Sequence, residues 1–472
     1  MVKKIKADIC VIGAGSGGLS VAAGAAQLGA RTVLVERGEM GGDCLNTGCV
    51  PSKALIAAAK HAYDMADGER FGIAPATPVI DFAKVNAHVR GVIAAIAPND
   101  SVARFEGLGV TVLQGEGRFK DRKTLTVGNT EIRARRFVVA TGSRASVPPI
   151  PGLDTVPYLT NENLFDLTVC PEHLIIIGGG PIGMEMAQAH RRLGARVTVI
   201  DAADALAKDD PELTRIVVDQ LAREGVEILE RTRTASISGK EGAITVTLEG
   251  GREISGSHLL IAAGRQANVE NMGLEAANVK FTPRGVTVDD GLRSVSNRRV
   301  YAIGDVAGAL QFTHVAVYHA GLVIRSALFR VPAKADYANI PWVTYTDPEI
   351  AHVGETEEQA RAHYKKINVL RWQLAENDRA QATRQTDGHI KIITDMHSRI
   401  LGCTIVGPEA GELILPWVLA KSRGIRLSAM ASIVAPYPTL SEISKRVAGS
   451  YYTPTLFSAR TRALVRFLRI FG

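Results

Sequence analysis

The sequence predicts an α/β fold with two doubly wound domains, each of three layers. Three observations support it. At 472 residues the chain is too long for one ordinary domain and suits two to four. A strand–glycine turn–helix–strand pattern is written twice, over residues 7–36 and 174–201. Residues 136–142 and 259–265 are each an apolar strand running into a glycine turn.

In the first copy, residues 9–12 form an apolar strand, Gly13-Ala14-Gly15-Ser16-Gly17-Gly18 makes the turn, and residues 19–28 have helical periodicity. The next strand, 32–35, ends in Glu36. In the second copy, strand 174–177 leads into Gly178-Gly179-Gly180-Pro181-Ile182-Gly183, a helix, and strand 197–200 ending in Asp201. Leu-Gly-Ala-Arg recurs in register at 28–31 and 193–196. The physics of this pattern is Rossmann-like. The first glycine of each set (Gly13, Gly178) permits the tight turn, the second (Gly15, Gly180) lets backbone approach a pyrophosphate, and the third (Gly18, Gly183) lets helix and strand pack closely. The helix N-terminus presents free N–H groups to the phosphates, and the terminal carboxylate accepts hydrogen bonds from the adenosine ribose.

Two such sites imply two different dinucleotides. At the second, Asp201 repels a 2′-phosphate and residues 202–206 offer no arginine to receive one, so NADH is expected over NADPH. Segments 136–142 and 259–265 mark where the chain leaves and re-enters the first domain, with the second inserted between. Strand 300–303 then ends in Gly304-Asp305, where an aspartate can hydrogen-bond a polyol.

Composition narrows the class. The net charge of +7 is modest and spread widely, which does not make the concentrated patch that nucleic-acid binding needs. The N-terminus has no signal-peptide pattern, and no apolar stretch is long enough to cross a bilayer, so a cytoplasmic protein is expected. Five cysteines are an odd, sparse set unlike a secreted disulfide framework. Cys10, Cys170 and Cys403 lie in or beside apolar stretches and read as structural. Only Cys44 and Cys49 are close enough to suggest designed pairing.

These two sit in Gly41-Gly42-Asp43-Cys44-Leu45-Asn46-Thr47-Gly48-Cys49-Val50-Pro51-Ser52-Lys53. With four residues between them, they can lie about one turn apart at a helix start and close a disulfide. The spacing is not the CxxC of zinc sites and no second ligand pair lies nearby, so no resident metal is expected. A thiolate at a helix N-terminus is stabilised, which suits thiol–disulfide exchange.

With both glycine motifs, the cysteine motif, Thr141-Gly142, Gly304-Asp305 and the segment 341–349, the chain resembles the pyridine nucleotide-disulfide oxidoreductases. That group contains dihydrolipoamide dehydrogenase, glutathione reductase and mercuric reductase. The resemblance implies an FAD-binding domain from residues 1–147 and 266–338, an NAD(P)-binding domain at 148–265, and an α+β dimerisation domain at 339–455. Residues 456–472 form a basic tail. It also implies a homodimer in which NADH reduces FAD and FAD reduces the cysteine pair. Glu36, Gly42, Thr141, Gly142, Gly304 and Asp305 would serve FAD, and Gly264 would serve NAD. Lys53 and Glu185 match a pair that lies beside the flavin ring, Cys49 the thiol proximal to it, and Cys44 the interchange thiol that meets substrate.

The chain departs from the family pattern in several places. Where relatives acting on dithiols carry His-Pro…Glu, supplied across the dimer, this chain has Tyr437-Pro438-Thr439-Leu440-Ser441-Glu442. A tyrosine, with a pKa of about 10, is a poor general base at neutral pH. Mercuric reductases resemble the chain at this position, and two thiolates facing a tyrosine suit a soft metal ion. Those enzymes also end in a vicinal cysteine pair, whereas no cysteine follows Cys403 here. Asp43 replaces the usual threonine or serine, and would either raise the Cys44 thiol pKa or bond backbone N–H groups in its loop. From Phe457, a helix would place Leu464, Phe467, Leu468 and Phe471 on one face and Arg462, Arg466 and Arg469 on the other. Such a helix packs against the dimer body or lies on a membrane surface.

The expected activity is NADH-dependent reduction of a disulfide or soft metal ion through FAD and Cys44–Cys49. Mercuric reductase proper and dihydrolipoamide dehydrogenase are the alternatives, followed by a non-catalytic, membrane-associated flavoprotein subunit. An oxidase or peroxidase on the same fold uses a single cysteine, which the Cys44/Cys49 pair opposes.

Overall fold

The computed structural model describes residues 2–308 and 310–471. Strand Lys3–Ile12 lies centrally in a seven-stranded sheet, parallel to Thr32–Glu36 on one side and Thr130–Val139 on the other. Its side chains alternate between faces. Ile9 and Val11 pack under helices Ser16–Gln27 and Thr313–Ala327, whereas Cys10 and Ile12 join Phe119, Phe137 and Val269 on the opposite side. Both faces are covered over residues 9–12, which is why that half of the strand reads as a continuous apolar run. Strand Val300–Ala302 returns to this sheet beside Thr130–Val139 and delivers Gly304-Asp305 to the same edge as the first glycine turn.

The second glycine motif heads a parallel sheet of Glu227–Leu229, Arg196–Ile200, His173–Ile177 and His258–Ile261. Helices Pro181–Arg192 and Pro211–Arg223 cover one face, and an antiparallel meander over 234–256 covers the other. Two short strands, Ser143–Ala145 and Arg265–Ala267, pair antiparallel where the chain passes between the two sheets. The third sheet is antiparallel, in the order Pro341–Thr344, Glu349–Gly354, Ile400–Gly407, His389–Thr394 and Asn368–Gln373. It packs on fully buried Trp417, whose indole N–H donates to Ser444 Oγ at 3.0 Å. The fold is thus an α/β unit on a mixed sheet, an α/β unit on a parallel sheet, and an α+β unit. Among the described residues, no helix is long and apolar enough to cross a membrane.

Buried charge fastens these parts together. Arg192, only 5 % exposed in its side chain, pairs with Glu224 at 2.7 Å and with Asp347 at 3.0 Å. Its guanidinium also stacks over the Tyr63 ring at 4.0 Å, which reaches back to helix Cys49–Ala66. Arg192→Ala leaves the Glu224 carboxylate buried without its cation. The expected cost is about 3–5 kcal/mol, read as a lowered thermal midpoint, and a midpoint equal to the parent's would show that the contact holds nothing together.

Candidate active site

One continuous cleft of about 2770 Å³ runs between the two glycine turns and is lined by Gly13, Glu36, Cys49, Lys53, Gly178 and Asp201. That is several times the ~300–1,000 Å³ of an ordinary small-ligand pocket, and leaves room for two extended ligands.

Both glycine turns are built alike. A Cβ on Gly13 would sit 2.4 Å from the Ala140 carbonyl oxygen, and one on Gly178 equally close to that of Ala262. Gly18 and Gly183 would each meet the backbone oxygen of their own first glycine at 1.9 Å. Gly180, by contrast, has nothing within 4 Å of such a Cβ, and Gly15 has only Gly42 Cα at 4.0 Å. The middle glycine of each turn therefore leaves space at a helix N-terminus, where a pyrophosphate fits. Glu36 accepts the Ala14 and Gly38 N–H groups at 2.5 and 2.8 Å, and Asp201 accepts those of Gly179 and Ala203 at 2.5 and 2.7 Å. Both cradles fit a dinucleotide.

Sequence reasoning overlooked an arginine at the second cradle. Arg231, from the turn after Glu227–Leu229, lies against the 201–206 loop through its N–H bond to the Ala203 carbonyl. Its guanidinium is held by both oxygens of Asp204, at 2.7 and 3.1 Å.

The cysteines do not share one helix start. Cys44 lies within the short helix Gly42–Asn46, and Cys49 is the first residue of helix Cys49–Ala66, with the turn Thr47–Gly48 between them. The Gly42 backbone rests on the first glycine turn, where a Cβ would meet Gly15 Cα at 2.8 Å. Both cysteines are free thiols. The Cys49 thiol is held down at about 6, chiefly by its hydrogen bond with Cys44 and then by Thr313 and the Lys53 charge, against the opposing effect of burial. Cys44 is pushed up by the same hydrogen bond and by burial. Cys49 is therefore the thiolate of the pair near neutral pH, and Cys44 its proton-bearing neighbour. Thr313 Oγ1 lies 3.2 Å from Cys49 Sγ and opens helix Thr313–Ala327, so the sulfur meets the positive ends of two helices.

Lys53, one turn along from Cys49, bonds Glu185 Oε2 at 2.9 Å and stands 4.4 Å over the Tyr345 ring. Glu185 is buried, and its other oxygen accepts the Tyr345 N–H at 2.9 Å. Thr141, Gly142, Gly264, Gly304 and Asp305 all line the same cleft. Asp305 accepts from Ser143 Oγ, and burial raises its carboxyl.

Asp43 does not bond the N–H groups of its loop as expected. Its oxygens accept from the side chains of Thr47 at 2.8 Å, Asn161 at 2.7 Å and Arg265 at 2.9 Å, not from loop N–H groups. Its charge raises the Cys49 thiol. Arg265 in turn donates to Ser143 Oγ at 2.7 Å, so a polar chain joins the cysteine loop to Asp305. Sequence reasoning gave no role to Asn161, Ser143, Arg265 or Thr313, because no local motif marks them.

Tyr437 and Glu442 lie outside this cleft within one chain. Tyr437 is 68 % exposed, and its hydroxyl donates to Asp378 at 2.8 Å, which raises the phenol pKa. The carboxylate bonded to the tyrosine is thus Asp378, far off in sequence, while Glu442 faces Arg446 at 3.7 Å.

Comparison with known proteins places this geometry. Residues 7–320 match the pyridine nucleotide-disulphide oxidoreductase family, and 340–448 match the dimerisation domain of that family. The chain belongs to this family. It is therefore an FAD-dependent oxidoreductase that uses a pyridine nucleotide. A mercuric reductase of Lysinibacillus sphaericus is 32% identical over 92% of the chain and 81% of its own length. A dihydrolipoyl dehydrogenase of Geobacillus stearothermophilus is 33% identical over 94% of the chain and 96% of its own length. The Cu(II) complex of the HOCl-induced flavoprotein disulfide reductase RclA from Escherichia coli superposes with a TM-score of 0.86, at 28% identity, over 94% of this chain and 99% of that one.

The thiol assignment carries a pH signature. In the reduced enzyme, thiolate ultraviolet absorbance should persist at pH 7 and fade as the pH falls through about 6. Cys49→Ser should abolish it, whereas Lys53→Ala should move its midpoint up by about one pH unit. A midpoint near the ordinary thiol value of about 8.5 would overturn the assignment.

Proposed function

We propose that the enzyme passes the two electrons of NADH, through FAD, to Cys44–Cys49 and on to a soft metal ion held between the two sulfurs. The observation that carries this reading is the hydroxyl of Tyr437 bonded to Asp378 where dithiol-handling relatives have a histidine. A proton shuttle needs a group that titrates near neutrality. A phenol whose pKa is raised by a neighbouring carboxylate does not, yet its oxygen keeps lone pairs for a metal. With its proton committed to Asp378, Tyr437 presents an acceptor to whatever lies before it. In the homodimer that the dimerisation domain implies, this is the cleft of the facing subunit.

The chain's own groups divide the work. Gly13, Gly15, Gly18, Gly42, Thr141 and Gly142 seat FAD, with Glu36 on its adenosine ribose and Gly304-Asp305 on its ribityl and pyrophosphate region. Gly178, Gly180, Gly183 and Gly264 seat NADH, with Asp201 on the ribose hydroxyls. The flavin, when bound, accepts hydride and reduces the disulfide. Lys53, fixed by Glu185, holds positive charge beside the Cys49 thiolate and against developing negative charge on the ring. Cys44, in the helix ahead of Cys49, meets the acceptor. The electrons of one NADH reduce one Hg(II) to Hg(0), or two Cu(II) to Cu(I), and one proton is released. Mercuric reductases among the relatives and the copper complex of RclA support this acceptor class. A dithiol or disulfide is the second reading, favoured by the retained Glu442 and the dihydrolipoyl dehydrogenase relative.

Anaerobic turnover with NADH should reduce Hg(II) or Cu(II) faster than lipoamide or glutathione disulfide. Cys44→Ser and Cys49→Ser should each remove that activity. Tyr437→His should raise lipoamide turnover by about 10²-fold at the cost of metal reduction. Asp378→Asn should return the phenol pKa toward about 10 in an ultraviolet titration. Fast lipoamide turnover by the parent enzyme would defeat the metal reading and leave the dithiol one.

For the coenzyme, Asp201, held by the Gly179 and Ala203 N–H groups, keeps lone pairs and its charge for the ribose hydroxyls, while Asp204 occupies Arg231. NADH should therefore exceed NADPH in kcat/KM. Asp201→Ser should narrow the gap roughly tenfold, the effect of about 1.4 kcal/mol of charge repulsion, and an unchanged ratio would assign the preference elsewhere.

A further inference from the structure

Beyond the redox cleft, the unexplained feature is the tail. Residues 443–472 contain no aspartate or glutamate but carry Lys445, Arg446, Arg460, Arg462, Arg466 and Arg469. Helix Ala459–Leu468 stands on local bonds. Ser458 Oγ caps it by accepting the Thr461 N–H at 3.2 Å, Thr461 Oγ1 donates to the Thr455 carbonyl, and Arg462 reaches back to that of Phe457. No residue of this helix is buried, so the chain's own body does not cover its apolar face. Phe457, Ile470 and Phe471 are each about 70 % exposed or more, and Phe467 and Leu468 just over half.

At 100° per residue, Leu464, Phe467, Leu468 and Phe471 fall on one side, with Arg460 among them in the first turn, and Arg462, Arg466 and Arg469 on the other. Ten residues rise only about 15 Å, too short to cross a bilayer and suited to lying in its surface. So many exposed apolar side chains in one segment are unusual for a solvated face. An acidic protein groove would match the arginines but not the width of the apolar face. A second copy of the tail, apolar face to apolar face, would leave the arginines of both copies without a counter-charge. An anionic lipid surface satisfies both faces together, with acyl boundary for the aromatics and headgroups for the guanidiniums.

We propose that segment 457–471, built on helix Ala459–Leu468, lies in the interface and docks the enzyme on anionic phospholipid surfaces. Phe467, Leu468 and Phe471 enter the acyl boundary, and Arg462, Arg466 and Arg469 hold the headgroups. The enzyme is peripheral, and its redox cleft faces the solvent layer next to the bilayer.

The test uses the full-length flavin-loaded enzyme with two kinds of liposome, phosphatidylcholine alone and phosphatidylcholine mixed equally with phosphatidylglycerol. Co-sedimentation should be at least roughly tenfold greater with the anionic liposomes and should fall as salt screens the charges. It should be lost in a chain ending at Leu456 and in the triple variant Arg462→Glu, Arg466→Glu, Arg469→Glu. Flavin content and dimer size should be unchanged in both. Equal binding to both liposomes, no binding to either, or binding that survives truncation would overturn the proposal. A truncated chain that loses its dimer would also overturn it, by assigning the apolar face to subunit packing. None of these outcomes touches the choice of electron acceptor, which is read in soluble assays.

Discussion

The carboxylate of Glu185 lies buried where three parts of the chain meet, and the geometry of the redox centre depends on it. One oxygen holds Lys53 from the cysteine helix, and the other holds the Tyr345 backbone from the start of the third sheet. Glu185 itself belongs to helix Pro181–Arg192, which begins at the second glycine turn. A buried carboxylate is tolerated only when its charge is matched and its lone pairs are filled. The same requirement therefore fixes the lysine beside Cys49, the approach of the second nucleotide cradle and the docking of the third domain. Arg192, two turns further along the same helix, repeats this arrangement with Glu224, Asp347 and Tyr63.

From that junction the asymmetry of the cysteines follows. They face each other across a tight turn and both meet the Thr313 hydroxyl, but only Cys49 opens its helix and has a lysine on its side. Cys44 has the hydrogen bond with Cys49 and burial, and both oppose its ionisation. Two chemically identical groups thus divide into a stable thiolate and a proton-bearing partner. In the proposed reaction, this division would let one sulfur stay beside an electron donor while the other engages an acceptor.

The local parts of this design were legible in the sequence because each lies within one continuous motif. The six-residue glycine turns, their terminal Glu36 and Asp201, and the cysteine motif are each bounded by strand or helix periodicity. The structure places all of them on one cleft. What could not be read are contacts between groups far apart in the chain. Asp378 meets Tyr437 across 59 residues, Arg265 meets Asp43 across 222, and Thr313 meets Cys49 across 264. Arg231 is hidden for the same reason, since it reaches the loop after Asp201 from a turn well beyond it in sequence. Even the spacing of the cysteines misled locally. A single helix turn would satisfy it, but Gly48 breaks the helix and gives each sulfur its own.

Asp43 shows how far a neighbouring charge can be redirected by its partners. Read from sequence, a carboxylate next to Cys44 should act on Cys44. In the folded chain, Arg265, Asn161 and Thr47 draw both of its oxygens away, and its charge raises Cys49. Lys53 and Thr313 act in the opposite direction on the same sulfur and outweigh it. The arginine that restrains Asp43 also donates to Ser143, which donates to Asp305. The residue that departs from the family pattern is therefore tied, through Arg265 and Ser143, to Asp305 on the same cleft. A threonine at this position would lack the charge to hold Arg265, and that arginine would be left with Ser143 and the more distant Asp305 at 3.7 Å. The substitution at 43 and the placement of Arg265 are in this sense one feature, a charge pair that stiffens the cysteine loop against the cradle it serves.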